Sequence, residues 1–409
     1  MLAYLDGVAL SRIVEIRDHL IAKEERGETV YRLESGTPSF TLPQKVKEAF
    51  ARALAEDKTF YPEGTGVRAL REALADKLAR RNGIQAKDIR HIVVCQGGMG
   101  ALFCVINSVA GEGDNVIVAR PVWGAIRNQV RLSGAHLVEA DLRPELGFVW
   151  DAEELEAIVR RTKPEALVFV NPSNPTGGVA PRELIVHLAE LADRYGFYVV
   201  EDVAYEDIVY GEPITMVAAL NPRWAIPVFS MSKSQNFSGL RLGYVYIEDE
   251  TVLARVRKLL LYTTNGINSI TQWAAIEALK PEYDVLIAQM VAEYRKRRDI
   301  LCAAINAIPI FKPLVPPLGA FYLFPEIDVE AYRTFLADRE RGPGPDFKAD
   351  ESLQNFLLEH NIGSIAGNFF GAQGEFLRFA YACATDQVVG AAAKLREIFG
   401  VSPGEGCPA

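Results

Sequence analysis

From residue 91 onward, short apolar runs alternate with helical stretches, and this alternation constrains the fold more than any other feature of the sequence. Six runs have the length and side-chain content of buried strands, at residues 91–95, 115–118, 166–170, 198–200, 228–230 and 244–247. Helical patterns separate several of them, for example at 101–110, 151–161 and 182–195. Continuous apolar strands joined by helices predict an α/β fold with a mostly parallel central sheet that helices cover on both faces.

Ahead of this alternation, the sequence predicts mainly helices. Residues 9–26, 43–56 and 67–81 have helical apolar spacing, and residues 32–40 have the pattern of a short strand that ends in a Gly/Pro turn.

Composition narrows the classes of function that are open to the chain. The net charge of −9 argues against nucleic acid or an anionic membrane as the main partner. Five cysteines and five histidines are scattered without metal-ligand spacing, which argues against a metal enzyme and favours reduced thiols in a cytoplasm. No apolar run approaches the roughly 20 residues of a membrane span, and the N-terminal residues lack the basic region and apolar core of a signal peptide. We therefore expect a cytoplasmic globular protein.

Ligands of parallel sheets bind beyond the carboxyl ends of the strands, so the residues directly after each strand are the candidates for a site. Gly97, Gly98 and Met99 follow the first strand, where free N–H groups at a helix start can bind a phosphate, although close helix–sheet packing also explains the glycines. Trp123 follows the second strand and can either stack on a flat ring or belong to the core. Asn174 follows the third strand in a turn with two Asn-Pro steps, which is more elaborate than a plain loop requires.

Two polar side chains follow the fourth strand. Asp202 lies directly at the strand end, where a buried carboxylate needs a partner such as a protonated pyridine nitrogen. Tyr205, three residues later, can reach a phenolic oxygen on the same ring. A solvated acidic turn is the alternative for each residue taken alone.

The loop after the fifth strand combines a lysine, an arginine, several hydroxyls and glycines. Ser230 and Arg241 are candidate phosphate ligands. Lys233 lies among small polar residues, where desolvation would lower the pKa of its amine and let the neutral amine attack a carbonyl. Because most lone lysines are solvated, this interpretation depends on the rest of the set.

In this order, the motifs resemble those of the fold type I enzymes that use pyridoxal phosphate (PLP), and most closely the class I and II aminotransferases of the aspartate aminotransferase superfamily. The matching motifs are Gly97-Gly-Met99, Trp123, Asn171-Pro-Ser-Asn-Pro-Thr-Gly177, Asp202-x-x-Tyr205, Ser230-x-Ser-Lys233 and Arg241-x-Gly243. The resemblance extends over nearly the whole chain, because the segments around Gly36, Tyr61 and Arg378 are also similar to family motifs.

The resemblance implies a role for each matching residue. Lys233 would bind PLP as a Schiff base and act as general base, and Asp202 would pair with the pyridine nitrogen. Further cofactor contacts would come from Gly98, Met99, Trp123, Asn174, Tyr205, Ser230 and Arg241, and from Tyr61 of the neighbouring subunit. The substrate α-carboxylate would bind to Gly36, Asn174 and Arg378. The resemblance also implies a cis Asn174–Pro175 bond, amino transfer between an L-amino acid and a 2-oxo acid, and a homodimer with shared active sites.

Two positions depart from the family pattern and leave the substrate open. Met99 stands where many relatives have a hydroxyl or a lysine, and Ile126 stands where relatives often have a tyrosine. Arg12 is a candidate for the second cation that a dicarboxylic substrate needs, with a solvated helix arginine as the alternative.

The reaction type is also open at this point. A C–S lyase, a decarboxylase or an oxidase of the same fold would share Lys233, Asp202 and Arg378. A regulator that senses the cofactor is disfavoured, because the chain starts directly with sequence similar to the enzymes.

The predicted organisation has two domains. A large PLP-binding domain is expected at 51–290 and a small domain at 291–400. The N-terminal segment 1–50 is expected to join the small domain. Gly/Pro-rich stretches are expected to form a surface loop at 339–346 and a loose tail at 401–409.

Overall fold

The computed structural model of the protein describes residues 12–339 and 347–402, together with residues 5 and 8. Most of the predicted loop at 339–346 and of the predicted tail at 401–409 lies outside the described residues.

A seven-stranded sheet forms the centre of the larger part of the molecule. Its strands are β1 (Ile92–Gln96), β2 (Asn115–Arg120), β3 (His136–Asp141), β4 (Ala166–Val170), β5 (Tyr198–Asp202), β6 (Ala225–Ser230) and β7 (Leu242–Tyr246). Their spatial order is β1-β7-β6-β5-β4-β2-β3. Strands β2 to β6 pair in parallel, and β7 runs antiparallel to both of its neighbours. The prediction of a mostly parallel sheet is confirmed.

The sequence patterns located six of these strands but not β3. This strand lies at the edge of the sheet and its side chains are partly or fully exposed, so it lacks the continuous apolar run that marked the others.

The predicted strand at 32–40 is wrong. The bridge between Tyr31 and Ile362 lies just before this segment, and within it the Leu33 carbonyl accepts a bond from the Ala380 N–H at 2.6 Å. The chain turns at residues 33–34 and is irregular to residue 40. The Glu34 and Gly36 carbonyls accept hydrogen bonds from the Arg378 and Lys233 side chains and not from a neighbouring strand.

Fourteen α-helices are defined in the described residues. They are α1 (Arg12–Glu25), α2 (Gln44–Ala55), α3 (Arg68–Asn82), α4 (Gly97–Val109), α5 (Gly124–Ser133), α6 (Ala152–Thr162), α7 (Arg182–Tyr195), α8 (Val217–Leu220), α9 (Glu250–Thr263), α10 (Ser269–Ala278), α11 (Asp284–Asn306), α12 (Val329–Ala337), α13 (Ala349–Glu359) and α14 (Thr385–Phe399). The helices predicted at 9–26, 43–56 and 67–81 correspond to α1, α2 and α3. None of the described helices is long and apolar enough to cross a membrane.

The apolar core lies on both faces of the large sheet. One face packs against α3, α6 and α7 through residues such as Leu74, Leu155 and Leu188, and the other packs against α4 and α9 through residues such as Val105 and Val256. Side chains on alternate positions of the same strand therefore enter different cores, which is what a strand buried on both faces requires.

A second core surrounds a three-stranded sheet of β8 (Tyr322–Leu323), β10 (Leu377–Ala380) and β9 (Ile365–Ala366), in the order β8-β10-β9. Both neighbours pair antiparallel to the central strand β10. Buried residues of α11 and α14, such as Leu301 and Val388, complete this core. Strand β10 places Arg378 beside the carboxyl edge of the large sheet.

Candidate active site

A cavity of about 340 Å³ lies at the carboxyl ends of the large-sheet strands, between that edge and the smaller sheet. Every residue to which the resemblance gives a role, except Tyr61, lines it: Gly36, Gly98, Met99, Trp123, Asn174, Asp202, Tyr205, Ser230, Lys233, Arg241 and Arg378. The parallel topology explains this convergence, because segments far apart in sequence leave the sheet at the same edge.

Lys233 lies in the loop between β6 and β7. Bonds from the Met231 N–H to the Leu242 carbonyl and from the Phe237 N–H to the Met231 carbonyl close this loop on itself. The Lys233 Nζ donates to the Gly36 carbonyl at 2.9 Å. Burial, reinforced by the positive charge of Arg378, lowers the pKa of Lys233 to about 8. The amine is thus available in its neutral, nucleophilic form far more often than a solvated lysine.

Asp202 is the last residue of β5, and its carboxylate is buried. Its Oδ1 accepts a hydrogen bond from the Ala204 N–H at 3.1 Å. Burial raises the pKa of Asp202 to about 6, although this hydrogen bond and the charge of Lys233 act in the opposite direction. A buried carboxylate with so little compensation is suited to a cationic partner such as a protonated ring nitrogen.

The first turn of α4 and the loop after β6 form a cradle for an anion. Gly97 adopts φ +68°, and a Cβ there would lie 2.7 Å from the Arg241 Nη2. A Cβ on Gly98 would lie 3.1 Å from the Ser230 Cβ. These glycines let backbone N–H groups at the N-terminus of a 13-residue helix face Ser230 and Arg241, an arrangement that binds phosphate.

Met99 occupies the third position of this turn, and its side chain is 39% exposed. The Gln129 Nε2 donates to the Met99 carbonyl at 3.0 Å. The Met99 side chain offers the cavity a thioether, not a charged or hydroxyl group, as the sequence indicated.

Arg378 is buried and crosses from the smaller sheet to the larger one. Its Nη1 donates to the Asn174 Oδ1 at 3.1 Å, and its Nη2 donates to the Glu34 carbonyl at 2.7 Å. Its Nε has no partner in the described structure. Arg378 lines the cavity, and a planar guanidinium in that position is suited to bind a carboxylate. The Asn174–Pro175 bond is cis, as predicted.

The cavity also contains residues that the sequence analysis did not assign to the site. Tyr322 is fully buried, and its hydroxyl lies 2.7 Å from that of Tyr205. Glu34 is fully buried, paired with the Arg32 Nε at 2.7 Å, and burial raises its pKa. Arg17 and Ile13 reach the cavity from α1. A helical pattern shows which face of α1 is apolar but not which other element this face meets, so Arg17 had no signal in the sequence.

Two of the earlier candidates lie away from the cavity in this chain. Tyr61 is 86% exposed on the segment between α2 and α3. Arg12 does not line the cavity; its Nη1 pairs with Glu15 at 3.3 Å and its guanidinium lies 5.5 Å from the Phe369 ring centroid.

These residues fit PLP, the cofactor that the resemblance implies. The glycine cradle suits its phosphate, the buried Asp202 carboxylate suits its ring nitrogen, and the depressed pKa of Lys233 suits covalent attachment through the aldehyde. No group of three or more metal-ligating side chains was found among the described residues.

Comparison with known proteins gives an independent result. Residues 28–395 match the family model described as aminotransferase class I and II. The aspartate/prephenate aminotransferase of Thermus thermophilus is 33% identical over 393 residues, which are 95% of this chain and 96% of that protein.

Solved structures show the same similarity. The aspartate aminotransferase of Thermus thermophilus with maleate superposes with a TM-score of 0.87 at 30% identity, over 97% of this chain and 98% of that one. The aromatic aminotransferase of Pyrococcus horikoshii gives a TM-score of 0.82 at 28% identity, over 93% and 98% of the two chains.

Proposed function

The chain belongs to the class I and II aminotransferase family and is a PLP-dependent aminotransferase, and we propose that Lys233 is the residue that binds the cofactor covalently. The observation that carries this assignment is the position of its Nζ, which is buried within the cavity formed by the strand ends and has a pKa lowered to about 8.

Other residues of the cavity would position the cofactor ring and control its protonation. Bound PLP supplies an electron sink that stabilises negative charge at the substrate α-carbon. Asp202 would keep a proton on the ring nitrogen, and Tyr205 and Asn174 would direct hydrogen bonds to the phenolic oxygen. Trp123 would cover one face of the ring. The Nζ of Lys233 would be the base that accepts the α-proton of the substrate.

Other residues of the cavity hold the two anionic groups. Backbone N–H groups at Gly98 and Met99, with Ser230 and Arg241, bind the cofactor phosphate. Arg378 binds the substrate α-carboxylate through its planar fork, assisted by Asn174 and the backbone of Gly36. The position of Arg378 in the cavity lining, beside Asn174 and Gly36, supports this role.

We propose that the amino donor is acidic, aspartate or glutamate. Of the three arginines that line the cavity, Arg17 is the one that remains available to bind a side-chain carboxylate of the substrate. In the assignments above, Arg241 faces the phosphate and Arg378 faces the α-carboxylate. Among the described residues, Arg17 forms an ion pair only with its neighbour Asp18, at 2.8 Å, and an exposed pair of this kind is weak. The names of the related enzymes, which include aspartate and aspartate/prephenate, point the same way.

A donor screen tests this proposal. Aspartate and glutamate, each with a suitable 2-oxo acid acceptor, should give the highest kcat/KM among common amino acids. Arg17→Ala should lower kcat/KM for these donors by about three- to tenfold through KM, and leave alanine unaffected.

Arg12→Ala is the matched control, since Arg12 lies on the same helix with similar exposure but outside the cavity. Equal effects of the two substitutions, or an equal loss with alanine as donor, would exclude Arg17 from substrate recognition.

We further propose the division into a large domain at 51–290 and a small domain at 291–400 that residues 1–50 join. The separate cores support most of this division, because most buried residues from Val67 to Tyr283 surround the large sheet whereas Leu33 packs with the core around the smaller sheet. Val46 is an exception, since it belongs to residues 1–50 but packs with the core of the large sheet. We also propose a cytoplasmic location. The four cysteines in the described residues, Cys95, Cys104, Cys302 and Cys383, are free thiols, as a reducing compartment favours.

The last part of the proposal is a homodimer in which Tyr61 of one subunit reaches the phosphate site of the other. Phe60 and Tyr61 are 79% and 86% exposed, and Tyr262 is 85% exposed. Gly266 lies against Pro62, and a groove lined by Gly266 and Arg241 leads from this region to the phosphate cradle. Exposed aromatic side chains beside an open site favour burial by a second copy of the chain.

A further inference from the structure

We propose that Tyr322 is a positioning residue, which holds the hydroxyl of Tyr205 as a hydrogen-bond donor toward the cofactor ring. This inference rests on the proposed role of Tyr205, and it adds a residue of the smaller sheet to the control of the cofactor.

The contact joins the two parts of the molecule. Tyr205 follows β5 of the large sheet, and Tyr322 begins β8 of the smaller one. Their hydroxyl oxygens lie 2.7 Å apart, and the two rings meet edge to face with centroids 5.7 Å apart. Both side chains are buried, so water does not compete for this bond.

The position of the Tyr322 hydroxyl is fixed from two further sides. A Cβ at Gly36 would overlap this hydroxyl, so the glycine leaves the space that it fills. The Arg378 guanidinium lies 4.6 Å from the Tyr322 ring centroid. Tyr322 therefore lies between the proposed carboxylate ligand and the proposed ring ligand.

Proton count sets the direction of the bond. Each phenol carries one proton, so when Tyr205 donates to the cofactor, Tyr322 must donate to Tyr205. Burial raises the pKa of both phenols, and the positive charge of Arg378 opposes this rise in both. Because the guanidinium lies directly over the Tyr322 ring, it favours Tyr322 as the donor. Donation into the Tyr205 oxygen polarises its O–H and strengthens the donation of Tyr205 to the ring.

Four charged or titratable groups face this pair. Arg378 from β10 lies over the Tyr322 ring, and Asp202 from the end of β5 acts on Tyr205. The Nζ of Lys233 lies 5.5 Å from the Tyr205 ring centroid, and Glu34 lines the same cavity. The variants below leave all four in place.

The absorbance of the bound cofactor, titrated with pH in the holoenzyme, provides a readout that does not depend on turnover. A hydrogen bond to the phenolic oxygen of the cofactor withdraws negative charge from that oxygen. The protonated Schiff-base nitrogen beside it is then less stabilised, so it loses its proton at a lower pH. Tyr205→Phe should therefore raise the midpoint. Tyr322→Phe should raise it in the same direction by about half a unit, because the Tyr205 donor is weakened but not removed.

A double-mutant cycle separates positioning from general structure. If Tyr322 acts through Tyr205, then Tyr322→Phe should not move the midpoint further in the Tyr205→Phe background. Tyr294→Phe is the control: Tyr294 is buried in the same cluster and packs on Phe321, and its hydroxyl has no partner in the described structure. It should leave the midpoint unchanged.

The outcomes distinguish this inference from the proposed function. No shift in Tyr205→Phe would overturn the ring role of Tyr205. A shift in Tyr205→Phe with none in Tyr322→Phe, or equal Tyr322→Phe shifts in both backgrounds, would overturn the positioning role alone. Thermal unfolding of each variant checks that the compared proteins are folded.

Discussion

Lys233 and Asp202 are ionisable residues of the site that are buried away from water, and this burial shifts the pKa of each. Lys233 and Asp202 shift in opposite directions, each toward its neutral form, because burial disfavours the charged form of both groups. These two side chains are suited to a ligand that carries both an aldehyde, which the Lys233 amine can attack, and a protonated nitrogen, which can pair with the Asp202 carboxylate.

The pH dependence of cofactor attachment follows from the lowered pKa of Lys233. Only the neutral amine attacks, and its fraction rises as the pH rises through the pKa of the folded protein. The rate at which the apoenzyme binds PLP covalently, followed by stopped-flow absorbance, should therefore increase with pH with a midpoint near 8. A rate that keeps rising toward pH 10 would show a lysine of ordinary pKa, about 10.4.

Asp202→Asn should reduce kcat by roughly a hundredfold or more, because an amide cannot hold a proton on the ring nitrogen through charge. The stability of the apoenzyme near neutral pH should not fall, since the substitution removes a poorly compensated buried carboxylate of similar shape. Steady-state kinetics and thermal unfolding measure the two effects. Near-normal kcat would mean that another group keeps the ring protonated.

Among the elements, the turn after β5 is held against α3 by a buried group of charges. Lys77 is 3% exposed and donates to the Glu206 carboxylate, and to the Asn82 Oδ1 at 2.9 Å. Its Nζ also lies 4.6 Å from the Phe229 ring centroid. Glu206 follows Tyr205 directly, so this group fixes the turn that presents the tyrosine to the cavity.

Lys77→Ala should destabilise the protein by about 3–5 kcal/mol, because it leaves the Glu206 carboxylate, whose side chain is only 10% exposed, without its ion-pair partner. Denaturant unfolding measures the change. Arg68→Ala on the same helix removes an exposed pair with Glu72 and should have little effect. Equal changes in the two variants would contradict the account of α3 as an anchor.

The elements also show where prediction from the sequence succeeds. The buried strands could be located because they are continuous apolar runs, and the order of motifs placed Lys233, Asp202 and Arg378 in one cavity. Strands β2 and β5 end two residues later than predicted, because each continues into polar residues, Arg120 in β2 and Asp202 in β5. Strand β3 was missed because an exposed edge strand has no such run. Arg17 and the Tyr322 hydroxyl were missed because the other residues of the cavity that they line are distant in sequence, and no local pattern shows which side chains meet there.

At the scale of the whole molecule, the exposed segment around Tyr61 is the main feature that has no role within a single chain, because Tyr61 does not line the cavity of its own chain. A hybrid experiment tests the proposed dimer. Lys233→Ala and Tyr61→Ala subunits are prepared separately, dissociated, mixed and reassociated. If Tyr61 acts in the neighbouring subunit, each hybrid contains one site with both residues intact, and cofactor affinity and activity at that site should recover.

Unmixed variants taken through the same dissociation and reassociation are the control. If Tyr61 acts within its own chain, no hybrid site contains both residues and no recovery can occur. A monomer in light scattering of the untreated holoenzyme would also contradict the proposed dimer.

The assignment of Lys233 is the central claim, and chemical trapping tests it most directly. The holoenzyme is reduced with borohydride, which converts a Schiff base to a stable amine, and is then digested and analysed by mass spectrometry. A pyridoxyl-phosphate label is expected on the peptide that contains Lys233, and it should be absent in Lys233→Ala. A label on a different lysine in the wild-type protein, or an unchanged labelling pattern in the variant, would contradict it.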